Sequence, residues 1–268
     1  YVTTHYKEEI KIVKEKVDKL GLANKITCFK LDVTKKKDRN IIKKLDLDCL
    51  VLHAATGVGG SILDLGEKDL LNGFDVNVLA TVELIKLFLK RPNPKNKKKT
   101  ILVTSSLIGI MPVSFLGVYS ATKASLISIM TSLRQELKHT TSNIKIKLIE
   151  PGAYKTGFND YMIAKVESSI NKNSLFYSKK EEIIKKMCSI FNVIEKKNTR
   201  SIVKKMCKAI YSENNKLVYR SPLLQVIGTK LYTIFLKWIK GRLVIEKKQF
   251  YFNRKIEFDY LKMQERRF

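Results

Sequence analysis

Tyr119 and Lys123 stand four residues apart in the stretch VYSATKASL. On a helix that spacing stacks both side chains on one face. Such a pair could move a proton. A tyrosine with an ordinary pKa of about 10 is a poor base at neutral pH, and a neighbouring ammonium favours its phenolate and lowers that value. The phenol could then give a proton to a carbonyl oxygen or take one from an alcohol. The spacing by itself carries no information. With 11 tyrosines and 52 mostly lysine basic residues in 268, about two such spacings arise by chance. There are three: Tyr119/Lys123, Tyr161/Lys165 and Tyr251/Lys255.

Company separates the first pair from the others. Ser106 lies thirteen residues before Tyr119, at the end of the apolar run ILVTSS, whereas Leu148 and Trp238 stand at that distance before Tyr161 and Tyr251. Downstream, EPGAYKTG follows the next strand-like run. Upstream, FDVNVLAT places Asn77 inside a helical pattern, where no propensity favours an asparagine.

These residues need a frame, and the chain supplies an alternating one. YVTT, KITCFKLDV, LDCLVLHAA, TILVTSS and NIKIKLIEPG are apolar or alternating runs of strand length. Between them come KEEIKIVKEKVDKLG, the charged segment KKKDRNIIKKL, a long amphipathic stretch around Glu67–Lys90 that ends in RPNPKNKKK, and YSATKASLISIMTSLRQEL. That alternation predicts an α/β fold, a parallel sheet with helices on both faces. Ligands bind such sheets at the carboxyl ends of the strands. The polar and Gly-containing stretches LDVT, LHAATGVGG, VTSS and IEPGAYKTG collect there. From about Thr156 to Ser221 the pattern is helical, with NKLVYR as a last strand. Lys230 and Lys237 make 222–240 a poor membrane span, so it reads as an amphipathic helix on the sheet or on a membrane surface. The tail from Gly241 to Phe268 reads as a docking segment or a flexible end.

Composition bounds the rest. The formal charge of +27 invites a nucleic acid or an anionic membrane. The excess is spread along the chain and is mostly lysine rather than the arginine that forks onto phosphates and bases. A solvated lysine-rich surface with no specific nucleic-acid partner is therefore expected. Cys28, Cys49, Cys188 and Cys207 show no disulfide or metal spacing and read as buried, reduced thiols of a cytoplasmic protein; His5, His53 and His139 are scattered.

Taken in order, LDVT, SSLIG, YSATK and PGAYKT resemble the short-chain dehydrogenase/reductase family over roughly residues 1–160. The resemblance implies a Rossmann-like doubly wound parallel sheet and a homo-oligomer. It also implies an NAD(P)-dependent oxidoreductase that interconverts a carbonyl and an alcohol. It makes Tyr119 the general acid/base, gives Ser106 a hydrogen bond to the same oxygen, and lets Lys123 reach the nicotinamide ribose. Asn77 would support a water and the lysine in a proton relay. Asp32 would meet the adenine, Ala54 and Ala55 line the cofactor, Pro151 and Gly152 pass the nicotinamide, and Thr156 contact its carboxamide.

The chain departs from the family at Leu52, His53, Ala54 and Ala55, where Asn-Asn-Ala-Gly is usual. The family's first strand, helix and Gly-rich turn would precede Tyr1, and TGVGGS (56–61) is not that turn. Thr3, Thr4, His5 and Lys7, with no acid until Glu8, point to NADP, with NAD the other candidate. The layout is similar to members acting on steroid, retinoid or lipid substrates. It divides into a domain over 1–221 with a helical substrate lid at about 156–200, and a terminal helix and basic tail over 222–268 that could touch a membrane. Two competing readings are a catalytically silent fold used for binding, and a basic membrane- or nucleic-acid-associated protein.

Overall fold

A computed structural model describes residues 1–91, 97–140, 143–236 and 238–239. The tail from 241 to 268, the Tyr251/Lys255 pair and Lys237 lie outside them. In chain order the elements are β1 (Val2–Thr4), α1 (Lys7–Lys19), β2 (Cys28–Lys30), α2 (Lys36–Arg39), β3 (Cys49–Leu52), α3 (Glu67–Phe74), α4 (Ala80–Leu89), β4 (Lys99–Thr104), α5 (Gly117–Glu136), β5 (Ile144–Pro151), α6 (Phe158–Ser169), α7 (Lys180–Ile194), α8 (Arg200–Tyr211) and β6 (Val218–Ser221). A further helix covers 223–236.

Among the described residues every strand pairing is parallel, in a two-stranded sheet β1–β2 and a four-stranded sheet of order β3–β4–β5–β6. Helices cover both faces, as the alternation predicts. β4 is buried along its whole length, and its central Ile101, Leu102 and Val103 are apolar on both sides rather than alternating. On one face Ile101, Val103 and Leu148 meet Phe88 of α4 and Leu126 and Met130 of α5. On the other, Leu102, Ile149 and Tyr219 meet Ile202 and Ala209 of α8. The face switches at each successive residue because side chains alternate along a strand. α1 carries Glu8 and Glu9 in its first turn and Lys16 and Lys19 in its last, which matches the helix dipole. It stops at Gly21, whose positive φ of 67° suits the left-handed turn after a helix.

Two expectations are corrected. Cys28, Cys49 and Cys188 are only partly buried, and Cys207 is exposed on the outer face of α8. The lysine excess is not all solvated, because Lys99, Lys123 and Lys147 are buried. Lys147 is held by Asn214 O at 2.6 Å, Asn214 Oδ1 at 3.3 Å and Tyr219 OH at 3.3 Å. Lys99 donates to Arg91 O at 3.2 Å and lies over the Phe88 ring. Each ammonium keeps acceptors in place of water, which is what a buried cation requires.

Phe88 is fully buried between α4 and the sheet. Phe88→Ala should lower unfolding free energy by about 3–5 kcal/mol, read as a shifted urea midpoint at unchanged slope. A loss below about 1 kcal/mol would mean that this side chain is not at the core.

Candidate active site

β4 delivers the first site residues. It ends at Thr104, and the chain then turns through Ser105 and Ser106 into a short 3-10 turn, Leu107–Gly109. The Ser106 hydroxyl caps that turn by accepting from Ile108 N–H at 3.3 Å, and it donates to Pro151 O at 3.1 Å. The turn then lies directly on α5. A Cβ on Gly109 would fall 2.8 Å from the Lys123 carbonyl carbon and 2.9 Å from Ala124 N, both backbone atoms that cannot yield. Gly109 therefore sets how closely the Ser106 turn approaches the helix carrying Tyr119 and Lys123.

The contact is pinned on both sides. Lys123 Nζ donates to Thr104 O at 3.0 Å, and Ser105 Oγ donates to Lys123 O at 2.8 Å. The ammonium sits 5.6 Å from the centre of the Tyr119 ring, so the predicted stacking of the pair is present. Its electrostatic consequence is not the expected one. Burial pushes the Tyr119 phenol well above its ordinary pKa and pushes the Lys123 ammonium down to about 8. Desolvation penalises the charged form of each group, and here it outweighs the attraction expected of the pair. Tyr119 is thus a protonated phenol at neutral pH. Among the described residues nothing hydrogen-bonds its hydroxyl, and the side chain lines a cavity.

That cavity, of about 980 Å³, lies at the carboxyl ends of the strands. Ser106, Tyr119 and Lys123 line it, together with Ala54, Ala55, Pro151, Gly152 and Thr156. Its walls are otherwise mostly apolar, formed by Ile108, Met111, Phe158, Met162, Met187 and Phe191 among others, with polar His53, Asn159, Thr199 and Gln225 between them. α6 and α7 close one side, packing Met162, Ile163, Val166 and Met187 against Leu116 and Tyr119.

Asn77 and Asp32 stand apart from this group. Asn77 occupies a π-helical turn, Asp75–Leu79, between α3 and α4, a wide turn often found at functional sites. Its carboxamide accepts from Thr56 N–H at 2.8 Å and donates to Thr56 O and to Thr122 Oγ1, each at 3.0 Å. It ties the loop after β3 to α5 and bonds the lysine's neighbour, with no bond to the lysine itself. Asp32 is not part of the cavity wall. Its carboxylate accepts from Thr34 N–H at 3.0 Å and Thr34 Oγ1 at 2.6 Å, with Lys35 at 3.6 Å. Burial raises its pKa, but the Thr34 bonds, with His5 and Lys35, more than offset it, and the carboxyl titrates below its usual range.

Several site residues gave no clear sequence signal. His53 lines the cavity with Nδ1 3.0 Å from Thr104 Oγ1, and burial, with Lys123 nearby, holds its pKa down so that the ring stays neutral. Gln225 reaches in from the 223–236 helix. A Cβ on Gly152 would meet its Oε1 at 1.9 Å, so Gly152 makes room for it. The TGVGGS glycines serve packing. A Cβ on Gly59 would meet Met162 O at 2.4 Å, so that loop seats α6.

The nicotinamide end of a dinucleotide fits the residues present. Lys123 is 2% exposed, and among the described residues Thr104 O is its one acceptor, which leaves further N–H donors for ribose hydroxyls. Pro151 and Gly152 line the same cavity.

Comparisons with known proteins bear on the family and the fold. A family profile described as short chain dehydrogenase matches residues 1–167. A probable short-chain type dehydrogenase/reductase, VdlC of Helicobacter pylori, is 36% identical over 49% of this chain and 49% of its own. Retinol dehydrogenase 8 of Bos taurus is 31% identical over 56% of this chain and 48% of its own. The chain spans about half the length of these curated relatives. A crystal structure of a short chain dehydrogenase/reductase from Burkholderia phymatum in complex with NAD superposes with a TM-score of 0.72. Its identity is 16%, over 88% of this chain and 84% of that one, so it shows the fold alone.

Lys123 supplies a test of the buried site. In the unfolded chain it titrates near its ordinary 10.5, and in the folded chain at about 8. Between those values the unfolded chain binds a proton that the folded chain lacks, so this residue's contribution to stability rises with pH. Relative to Lys123→Met, the parent should gain about 2 kcal/mol between about pH 7 and about pH 9.5, measured by urea unfolding. A difference independent of pH would show that the ammonium is not desolvated.

Proposed function

The chain belongs to the short chain dehydrogenase family, and on that premise we propose that it reduces a carbonyl to an alcohol, or runs the reverse, on an apolar substrate. The observation that carries the reading is the placement of Tyr119, Ser106 and Lys123 on one wall of an apolar cavity at the strand ends.

Each group has a distinct task. Tyr119 carries its proton at neutral pH, as any phenol does, and its place on the cavity wall lets it deliver that proton to a carbonyl oxygen. Ser106, whose oxygen is anchored by Ile108 N–H, orients the same oxygen by turning its hydrogen from Pro151 O to the substrate. Lys123 lies over the Tyr119 ring and offsets the negative charge left on the phenolate. A bound reduced nicotinamide supplies hydride to the carbonyl carbon. Lys123 holds the ribose, and Pro151, Gly152 and Thr156 the nicotinamide. Asn77 is a positioning residue, since it fixes the Thr56 loop and Thr122 of α5. α6 and α7 form the substrate lid.

Apolar walls favour a substrate that is largely hydrocarbon around its carbonyl. A relative named as a retinol dehydrogenase supports that substrate class. Tyr119→Phe should cut turnover of a long-chain or polycyclic ketone by at least about 100-fold while leaving cofactor binding unchanged. Activity near the parent level, or turnover confined to sugars and small polar ketones, would remove the reading. The absence of an acid between Thr3 and Lys7 favours NADP over NAD. Fluorescence titration should therefore give tighter binding of NADPH than of NADH, and equal affinities would contradict it.

A further inference from the structure

The helix over 223–236 is packed inside out. Gln225 and Thr229 face the domain. Gln225 Oε1 accepts from Ala153 N–H at 2.7 Å, while its Nε2 donates to Ile194 O at 2.7 Å and Ala153 O at 3.2 Å. Thr229 is buried beside Gly228 at the cavity. The apolar residues face outward. Leu224, Ile227, Leu231, Ile234 and Phe235 are all exposed, Leu224 at 82%, and Trp238 stacks on Phe235 with ring centres 6.3 Å apart. Their spacing is that of one helical stripe. Water selects the opposite arrangement, and a contiguous exposed stripe marks a surface with a partner.

The stripe itself does not line the cavity, to which this helix gives Gln225, Gly228 and Thr229, but exposed apolar residues of α7 and α8 do. Ile190 and Ile194 of α7 and Val203 of α8 line the cavity and are also exposed, and Val193 beside them is 84% exposed. Cations border this surface. Lys196, Lys197, Arg200, Lys204 and Lys230 are exposed, and among the described residues none takes part in an ion pair. The one acid between Ile183 and Ser212 is Glu195, and Asn159 engages it.

We infer that this apolar, cation-bordered collar docks on an anionic lipid membrane, with the cavity mouth against the acyl chains. An apolar substrate then passes between bilayer and cavity without crossing water. The route rests on the apolar-substrate reading above, and the docking itself does not. Charge decides the occupant. A second copy placed on this face would set the same lysines against each other in a chain of net charge +27, whereas an anionic leaflet attracts them. Apolar insertion together with basic attraction is the combination that holds amphipathic helices on such surfaces.

Trp238 is the only tryptophan, so its fluorescence reports this collar alone. The 268-residue chain mixed with phosphatidylcholine vesicles containing phosphatidylserine should co-sediment with a blue-shifted emission. Binding should be at least about tenfold weaker to pure phosphatidylcholine, and should weaken as salt rises from about 0.1 to 1 M. Leu224→Glu with Leu231→Glu should reduce binding by at least about tenfold while leaving the far-UV circular dichroism unchanged. Lys196→Glu with Lys197→Glu, which leaves the apolar stripe intact, should reduce it on charge alone.

Two results would overturn the inference. One is the absence of co-sedimentation and blue shift with the anionic vesicles. The other is a dimer in sedimentation equilibrium that Leu224→Glu splits into monomers. Turnover of a dispersed ketone without vesicles tests the catalytic reading separately. Vesicle binding without turnover removes that reading and keeps the docking surface, and turnover without vesicle binding does the reverse.

Discussion

Helix α5 meets the end of β4 at Lys123, and the site depends on how closely the two backbones approach there. Three interactions fix that distance. Lys123 donates across it to Thr104 O, Ser105 donates back to Lys123 O, and Gly109 lets the intervening turn lie flat on the helix. Without a hydrogen at Gly109's α-carbon in place of a side chain, the turn would have to lift, and Ser106 would leave the wall shared with Tyr119. The lysine cannot simply be exchanged for an apolar residue, since Thr104 O would lose its donor. Nor can the helix move out, because Leu126 and Met130 are locked into the core one and two turns further on. Core packing and site geometry are therefore the same constraint seen from two ends of α5.

Burial at that contact sets the chemistry. Proximity of an ammonium to a phenol would, in water, favour the phenolate. Here both groups are nearly sealed from solvent, and each is pushed toward its neutral form. The neutral His53 ring, bonded to Thr104 Oγ1, adds no competing charge. Asn77 acts at a remove, and its π-helical turn brings the carboxamide to Thr56 and Thr122 rather than to the lysine.

Local pattern was enough to read some of this and not the rest. The parallel sheet, the strand ends and the Ser106–Tyr119–Lys123 grouping were legible because period-two and period-3.6 apolar patterns and fixed spacings are properties of neighbours in sequence. The direction of the tyrosine's pKa shift was not, because desolvation depends on the Leu116, Met162 and Met187 packing that arrives from distant elements. Gly109 was visible in SSLIG, but its role needs the position of the α5 backbone. Gln225 gave no signal, since its bonds to Ala153 and Ile194 join segments about 72 and 31 residues away. Asp32, in LDVT, stands where the resemblance puts an adenine contact, and its bonds to Thr34 depend on the local turn rather than on any pattern legible at a distance. The buried lysines escaped a compositional reading because Lys147 owes its place to Asn214 and Tyr219, on the far side of β6's approach.

The inverted helix over 223–236 follows from what the site demands. A desolvated tyrosine needs a cavity shut from water, and the strand ends alone leave it open. The cover must bond the loop at Ala153 and the end of α7, whose backbone groups face it, and only polar side chains such as Gln225 can do so. With Gln225 and Thr229 turned inward, the apolar stripe of the helix turns outward. Its outer face is then stable only against something other than water, and the cations beside it, unpaired among the described residues, determine the charge of that partner. The demand for a dry site on one side of the helix thus leaves an apolar surface on the other.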